Sequence, residues 1–445
     1  MTVNIKETYN VRPTQPTQHS PIILSNHDLI LPMIYMFAHH FYKNVDNKND
    51  FMDPSKLRDS LGDILSDYYP LAGRLKKEID GKLSIACCDQ GIPFIIAKSP
   101  DITIQQLEEK NWQPSSIPDH LVPDLPVTHG LISLPLDVPL LMVQHTTLAD
   151  GSVVLGTVMH HTIADGISLF CFLDNWGRKA RQEPIIPPVH DRSLLKASGN
   201  PPTHEHPEFK LFKLPTEASQ AMPPMPPMPP MITKLFHINR DNLKKLCNVY
   251  SGEHNLVSAN DALVAHLWRL VTRARGIPLD AEVICAFPCD GRRRLKPFFP
   301  PNYFGNCILG AVPKMLVSEL INGSQPNLAL QIRKAIDKVN DSKIRSSIDW
   351  IEQQPNKSEI KLNCNYYCGK DLVLTNWSKF SLYDLDFGYG TPLRFSLRRG
   401  RNLDGIVVLL GTKYDDGIQA CTSLIIEHMQ KLEQDPEFKE FFQIS

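Results

Sequence analysis

Two mixed α/β domains joined by a proline-rich crossing are what this sequence predicts, and three observations carry the expectation. The chain has 445 residues, more than the about 250 to 300 at which a single hydrophobic core stops growing. In both halves short apolar runs alternate with helix-like stretches. Between the halves lie "GNPPTHEHPEF" and "AMPPMPPMPPM". The boundaries read as 1–198 for the first domain, 199–232 for the crossing and 233–445 for the second domain.

The elements follow in order. "DPSKLRDSLGDILSDYYPLAGRL" places Leu57, Leu61 and Leu65 on one helical stripe, with the turn residues Pro70 and Gly73 close behind. "VQHTTLADGSVVLGTVMHHTIADGISLF" then nearly repeats itself, as His145 to Asp150-Gly151 and as His161 to Asp165-Gly166. The first copy precedes the β-rich "SVVLGTVM", so Asp150-Gly151 reads as the turn of a hairpin and His145 as a strand residue. Helical spacing of Leu169, Phe172, Leu173 and Trp176 follows the second copy. His161 is therefore expected to end a buried strand, with Asp165 opening a helix as its N-cap and His160 packed in the core. In the crossing, a polyproline II helix would align Met222, Met225, Met228 and Met231 along one edge. "NLVSANDALVAHLWRLVTRAR" gives a helix marked by Leu263, Leu267, Leu270 and Val271, with Ser258 or Asn260 as cap. "AEVICAFP" and the nearly all-apolar "DGIVVLLGTKY" read as strands. "DGIQACTSLIIEHMQKLEQD" reads as a final amphipathic helix.

Composition narrows the function. Lys and Arg total 47 against 48 Asp and Glu, so no global field draws a polyanion or a membrane surface, and any anion site is local. The short basic run Arg292 to Lys296 is too little for nucleic acid. A hydrophobic fraction of 42% with 21% charged residues is that of a water-soluble globular protein. No window approaches the about 18 consecutive apolar residues of a membrane span, and "MTVNIKETYNV" has no signal-peptide pattern. A cytoplasmic monomer is expected. The ten cysteines include Cys87-Cys88 and the pair Cys364 and Cys368 of "CNYYC", but no CxxC pairs at zinc spacing. Reduced thiols and no metal site follow. The sequons at Asn322, Asn340, Asn356 and Asn376 mean little without a secretory signal.

A strand end is where an α/β scaffold holds a side chain rigidly and exposes it. HxxxD alone is nevertheless a weak signal. "LVLTNWSKFSLYDLDFGYGTP" adds Asp386-Phe-Gly-Tyr-Gly390, a tight loop by its two glycines. With both strings in place the chain resembles the BAHD acyl-CoA-dependent acyltransferases, which carry HxxxD mid-chain and DFGWG near the end. "DYYPLAGRL", "MHHTIADG", "CDGRRRLKPFFPPNYFGN" and "LTNWSKF" extend the likeness over essentially the whole chain, and it is nearest the hydroxycinnamoyltransferase branch.

The resemblance implies two chloramphenicol acetyltransferase-like domains, a long crossover and a solvent channel between the domains, with acyl-CoA entering one face and the acceptor the other. It makes His161 the general base. Asp165 becomes structural, with Arg292 as its candidate ion partner, and Gly166 opens the helix behind it. Asp386, Gly388 and Gly390 hold the DFGYG loop. Thr375 and Trp377 stand where donors steady an oxyanion, and Lys379 where shikimate- and quinate-using members carry Arg. Lys does not grip a carboxylate through two parallel bonds as Arg does, which puts a shikimate acceptor in doubt. The basic stretch of Lys379, Arg394, Arg398, Arg399 and Arg401 inclines the reading to a small hydroxylated acceptor over a polyamine.

The implied chemistry transfers an acyl group, hydroxycinnamoyl or another aromatic one, from acyl-CoA as co-substrate to an alcohol or amine, with no permanently bound cofactor. A neutral imidazole takes the acceptor's proton near pH 7. A nucleophilic cysteine is the rival mechanism, with Cys289 beside "DGRRR" as its one candidate. Two other classes stay open: condensation domains, which share the fold and match HHxxxDG at His160 to Gly166 but take acyl groups from carrier-protein phosphopantetheine, and a silent acyl-CoA binder.

Overall fold

The computed structural model describes residues 2–125, 136–212, 229–252, 257–364, 369–397 and 403–444. Met222, Met225, Met228, Cys368, Arg398, Arg399 and Arg401 lie outside the described residues. The chain forms two compact units: Met1–Lys196 with Pro300–Cys307 and Phe380–Arg399, and Ala197–Phe299 with Ile308–Lys379 and Gly400–Ser445. Two short segments of the C-terminal half thus belong to the first unit, which a single cut of the sequence does not express. One holds "YFGN" and the other holds "DFGYG".

The first unit is built on a six-stranded sheet in the order Asn4–Val11, Ile92–Ser99, Leu141–Leu148, Val153–His160, Tyr35–Tyr42 and Arg394–Ser396. Only the Ile92–Ser99 and Leu141–Leu148 pair runs parallel. The near-repeat resolves as the turn chemistry requires. Leu141–Leu148 and Val153–His160 form a hairpin around Gly151, whose φ is 74°. All eight residues of Val153–His160 are buried, as expected of a strand covered on both faces. One detail differs from the sequence reading: the strand stops at His160, and His161 begins a one-turn 3-10 helix, His161–Ile163. Gly166–Ala180 is the helix that follows. It packs on Pro54–Asp67, which buries Leu57, Leu61 and Leu65, and the Trp176 indole donates to Ser60 Oγ at 3.1 Å.

The second unit carries a sheet whose main path is Ile308–Ala311, Glu282–Asp290, Leu372–Asn376, Ile406–Gly411, Ile418–Ile425, Met231–Ile238 and Gln443–Ile444. The helix Ala259–Arg275 is capped by Ser258 through a reciprocal capping box with Asp261, so Ser258 and not Asn260 is the cap. Two sequence readings need correction here. Ile406–Gly411 is buried at Val407, Leu409 and Leu410 but only half-buried at Ile406, Val408 and Gly411, rather than being covered throughout. The stretch expected as one final helix is divided: Ile418–Ile425 is a strand, paired on both sides with Met231–Ile238 and Ile406–Gly411, and only Ile426–Gln434 is helical. Seven consecutive buried residues, Ile418 to Leu424, satisfy their backbone in the sheet; burial on two faces overrode a weak helical period.

Candidate active site

His161 sits at the junction of strand and turn. Its backbone N–H donates to Ile34 O at 2.8 Å, and its side chain is half-buried. Burial pulls the imidazole pKa below its ordinary value; its own backbone carbonyl, the Asp165 carboxylate and Asn306 act the other way. Nδ1 is buried and makes no hydrogen bond to another described residue. The net effect favours the neutral ring at physiological pH, which a proton acceptor requires.

The neighbouring histidines differ from it in kind. His145 Nε2 lies 2.8 Å from Met52 O, inside the core. His160 Nδ1 accepts from Thr162 N at 3.3 Å and its ring meets Tyr35 edge-on, with burial pushing its pKa to about 4. Both are spent on structure.

Asp165 is buried and caps the helix: Oδ1 accepts from Ser168 N at 3.0 Å and Oδ2 from Cys307 N at 3.1 Å. Ser168 Oγ donates to Gly305 O at 2.9 Å and lies 3.0 Å from Gly305 N. The helix N-terminus therefore binds the segment 300–307. A Cβ on Gly166 would meet Phe380 Cε2 at 2.6 Å. At the far end of the same helix lies the second motif. Asp386 Oδ1 accepts from the backbone N–H groups of Gly388, Tyr389 and Gly390 at 2.7, 3.1 and 3.0 Å. Gly388 and Gly390 both have φ of 91°, a region that favours glycine. Arg181 Nη1 donates to Asp386 O, and the Tyr389 ring meets Phe51 edge-on at 5.7 Å. HxxxD and DFGYG are thus the two ends of one helix's packing, all within the first unit.

The second unit holds the other candidates. Trp377 Nε1 donates to Thr375 Oγ1 at 3.1 Å. The indole proton is thus placed on the Thr375 oxygen, and the hydroxyl keeps its own proton to donate. Lys379 is exposed. Arg292 is buried and its Nη1 pairs with Asp290 Oδ1 at 3.0 Å. Cys289 is buried, and burial pushes its thiol pKa to about 11, far from the thiolate that nucleophilic catalysis needs. Among the described residues no group of three or more His, Cys, Asp or Glu is arranged to hold a metal ion, and no helix is long and apolar enough to cross a membrane.

Sequence reasoning missed three residues of the first unit: Asp28, Arg192 and Asn306, all buried around the His161 turn. "YFGN" was visible as a string, but nothing in it announced what the asparagine would touch.

The fold is similar to that of F. graminearum TRI101 complexed with coenzyme A and T-2 mycotoxin, with a TM-score of 0.83 at 18% identity, covering 96% of this chain and 99% of that one. This architecture, two chloramphenicol acetyltransferase-like domains, is that of a class of acyltransferases. In sequence the chain is 33% identical over 446 residues to a hydroxycinnamoyltransferase of Narcissus pseudonarcissus, covering 98% of this chain and 99% of the relative. It is 31% identical over 441 residues to hydroxycinnamoyl-CoA:5-hydroxyanthranilate N-hydroxycinnamoyltransferase HHT1 of Avena sativa, covering 97% and 98%. A family model described as the Transferase family matches residues 1–439, and the chain belongs to that family, the BAHD acyltransferases. It is an acyl-CoA-dependent acyltransferase.

Proposed function

We propose that this enzyme moves an aromatic acyl group, hydroxycinnamoyl in the first instance, from coenzyme A to a small hydroxyl or amine acceptor in a ternary complex, with His161 as general base. The observation that carries this reading is the half-buried His161, the first residue of the turn that follows the strand Val153–His160, with its pKa lowered by burial. Neutral Nε2 takes the proton from the acceptor O–H or N–H as that atom attacks the thioester carbon. The carbonyl oxygen becomes an oxyanion, and the Thr375 hydroxyl, oriented by Trp377, donates to it; one such donor is worth about 3 to 4 kcal/mol. Collapse breaks the carbon–sulfur bond, and the imidazolium returns its proton to the departing thiolate. No covalent acyl-enzyme is formed.

The remaining assignments support that step. Asp165 and Gly166 seat the helix behind the base, with Arg292 as ion partner of Asp165. Asp386, Gly388 and Gly390 fix the loop at the other end of the helix. Lys379 attracts an acceptor carboxylate as a point charge. The bulk of the first domain is 1–198 and that of the second is 233–445, with 300–307 and 380–399 lent to the first and the proline-rich 199–232 as crossover, and the enzyme works as a cytoplasmic monomer. Names of relatives favour a hydroxycinnamoyl donor, since those of Narcissus and Avena both carry it; the Avena name also specifies an amine acceptor.

The test begins with a matrix of acyl-CoA donors against quinate, tyramine and spermidine, with product masses determined. On the best pair, His161→Ala should lose about 10²- to 10⁴-fold in turnover while still binding acyl-CoA by calorimetry. Lys379→Ala should raise KM for a carboxylate acceptor only. Turnover retained in His161→Ala would dismiss the base, and efficient spermidine turnover unaffected by Lys379→Ala would dismiss the small hydroxylated acceptor.

A further inference from the structure

Three consecutive carbonyls of the His161–Ile163 turn receive side-chain donors from distant parts of the chain. Asn306 Nδ2 donates to His161 O and to Thr162 O, each at 3.0 Å. Arg192 Nη2 donates to Ile163 O at 2.9 Å, and its Nη1 to Phe304 O. Both donors converge on one carboxylate. Asp28 Oδ2 accepts from Arg192 Nε at 2.9 Å, from Ser25 Oγ at 2.7 Å and from Ser25 N at 2.9 Å. Asp28 Oδ1 accepts from Asn306 Nδ2 at 2.9 Å and from Asn306 N at 3.2 Å. Asp28 and Asn306 are 0% exposed and Arg192 is 8% exposed.

The orientation of the Asn306 amide is decided by its surroundings. Its Nδ2 faces three oxygens, and turning the amide over would set Oδ1 against all three. Gly305 completes the arrangement: a Cβ there would lie 2.6 Å from Arg192 Nη1, so only a bare backbone lets the guanidinium pass.

Burying a carboxylate and a guanidinium is a poor route to stability, because apolar residues of the same volume usually hold a core as well. What this ion pair does that apolar packing cannot is fix three carbonyl oxygens in place, the first of them belonging to the base itself. We propose that Asp28 is a positioning residue for the acyl transfer, setting the His161 imidazole through Arg192 and Asn306. The inference rests on His161 being the base. A misplacement of about 1 Å in a reacting group can cost on the order of 10²-fold in rate.

The experiment compares Asp28→Asn and Arg192→Lys with Asn175→Ala. Asn175 supplies buried hydrogen bonds to Tyr68 Oη at 2.7 Å and Ile186 O at 2.8 Å, away from the turn, and controls for simple loss of stability. Two readouts are taken on the full chain: steady-state kinetics, and the pH titration of the His161 ring by NMR of histidine-labelled protein, assigned with His161→Gln. For Asp28→Asn and Arg192→Lys, kcat should fall about 10- to 100-fold. KM for acyl-CoA should stay within about twofold, as for an interaction felt only at the transition state. The His161 titration midpoint should move in both, and Asn175→Ala should change neither. Should Asp28→Asn not fold, Ser25→Ala removes one of the hub's five donors and should move the same midpoint by a smaller amount. Folded Asp28→Asn and Arg192→Lys proteins with wild-type kcat and an unmoved His161 midpoint would overturn the inference. Turnover retained in His161→Gln would instead overturn the base, and the ring titration would still tell whether the cluster sets its environment.

Discussion

Consider Gly177→Ala, a substitution that helix propensity alone recommends. Gly177 lies in the last turn and a half of Gly166–Ala180, and alanine at a helical position is better than glycine by about 1 kcal/mol. Packing opposes this. A Cβ at 177 would stand 2.6 Å from Asp386 O and 3.2 Å from Leu385 Cδ1, whereas a carbon normally keeps about 3.3 Å or more from a carbonyl oxygen. Helix and loop would have to part by roughly 0.7 Å at that spot. The loop cannot yield freely, because Asp386 O is held by Arg181 and the Asp386 carboxylate holds three backbone N–H groups. Overpacking costs about 1 to 3 kcal/mol and a strained Arg181 bond adds about 1, so the net change should be a destabilisation of about 1 to 3 kcal/mol. Equilibrium urea unfolding gives the size, and hydrogen exchange of peptides covering 385–391 shows whether the loop loosens. A double-mutant cycle with Asp386→Ala should show coupling, since without the Asp386 carboxylate the loop can move aside. A stabilised Gly177→Ala with unchanged loop protection would refute the claim that DFGYG is seated on this helix.

Other predictions concern pH and the second unit. Because the His161 pKa is lowered, the acid limb of kcat/KM should lie below the about 6.5 of a free imidazole; pH–rate profiles check this, and a limb above that value would contradict the burial argument. Burial holds the pKa of His27, His160 and His190 at about 4 and that of His40 at about 3 in the first unit, and that of His266 at about 3 in the second. Each such ring costs the fold nothing above about pH 6.5, where it is neutral folded or unfolded; as pH falls from there towards its folded value the unfolded chain alone takes up the proton, and stability drops by up to about 1.4 kcal/mol per pH unit per histidine. The first unit should therefore weaken more than the second between pH 7 and 5, which urea unfolding followed by pulsed hydrogen exchange would resolve. Thr375→Val should cost about 10²-fold or more in kcat, and Trp377→Phe less, because the indole acts through the hydroxyl; equal losses would mean that Trp377 donates directly.

How far the sequence could be read depended on the range of the physics involved. The two near-copies were separable because turn chemistry is local: Asp-Gly before a β-rich run made a hairpin, and Asp-Gly before a helical period made an N-cap. Ile418–Ile425 was misread for the opposite reason, since two strands from residues 231–238 and 406–411 decide its state and no local pattern mentions them. Thr375 and Trp377 were recognisable as a pair, but that the indole spends its proton on the hydroxyl required coordinates. Asp28, Arg192 and Asn306 were illegible individually. Each is an ordinary polar residue until 164 and 278 positions of separation are closed between Asp28 and its two partners.

The borrowing of 300–307 and 380–399 by the first unit bears on how the protein is made. Its edge strand Arg394–Ser396 pairs with Tyr35–Tyr42, and Asp28 finds its Asn306 partner only when that residue has been synthesised. When the ribosome has completed residue 196, the nascent chain therefore lacks both the edge strand that covers Tyr35–Tyr42 and a donor its buried carboxylate needs. Most of the second unit's residues must emerge before the first can finish, so the two mature together, late in translation. A fragment ending at residue 196 should be insoluble when expressed alone, whereas adding the missing segments in trans, as a co-expressed C-terminal half, should restore a folded enzyme.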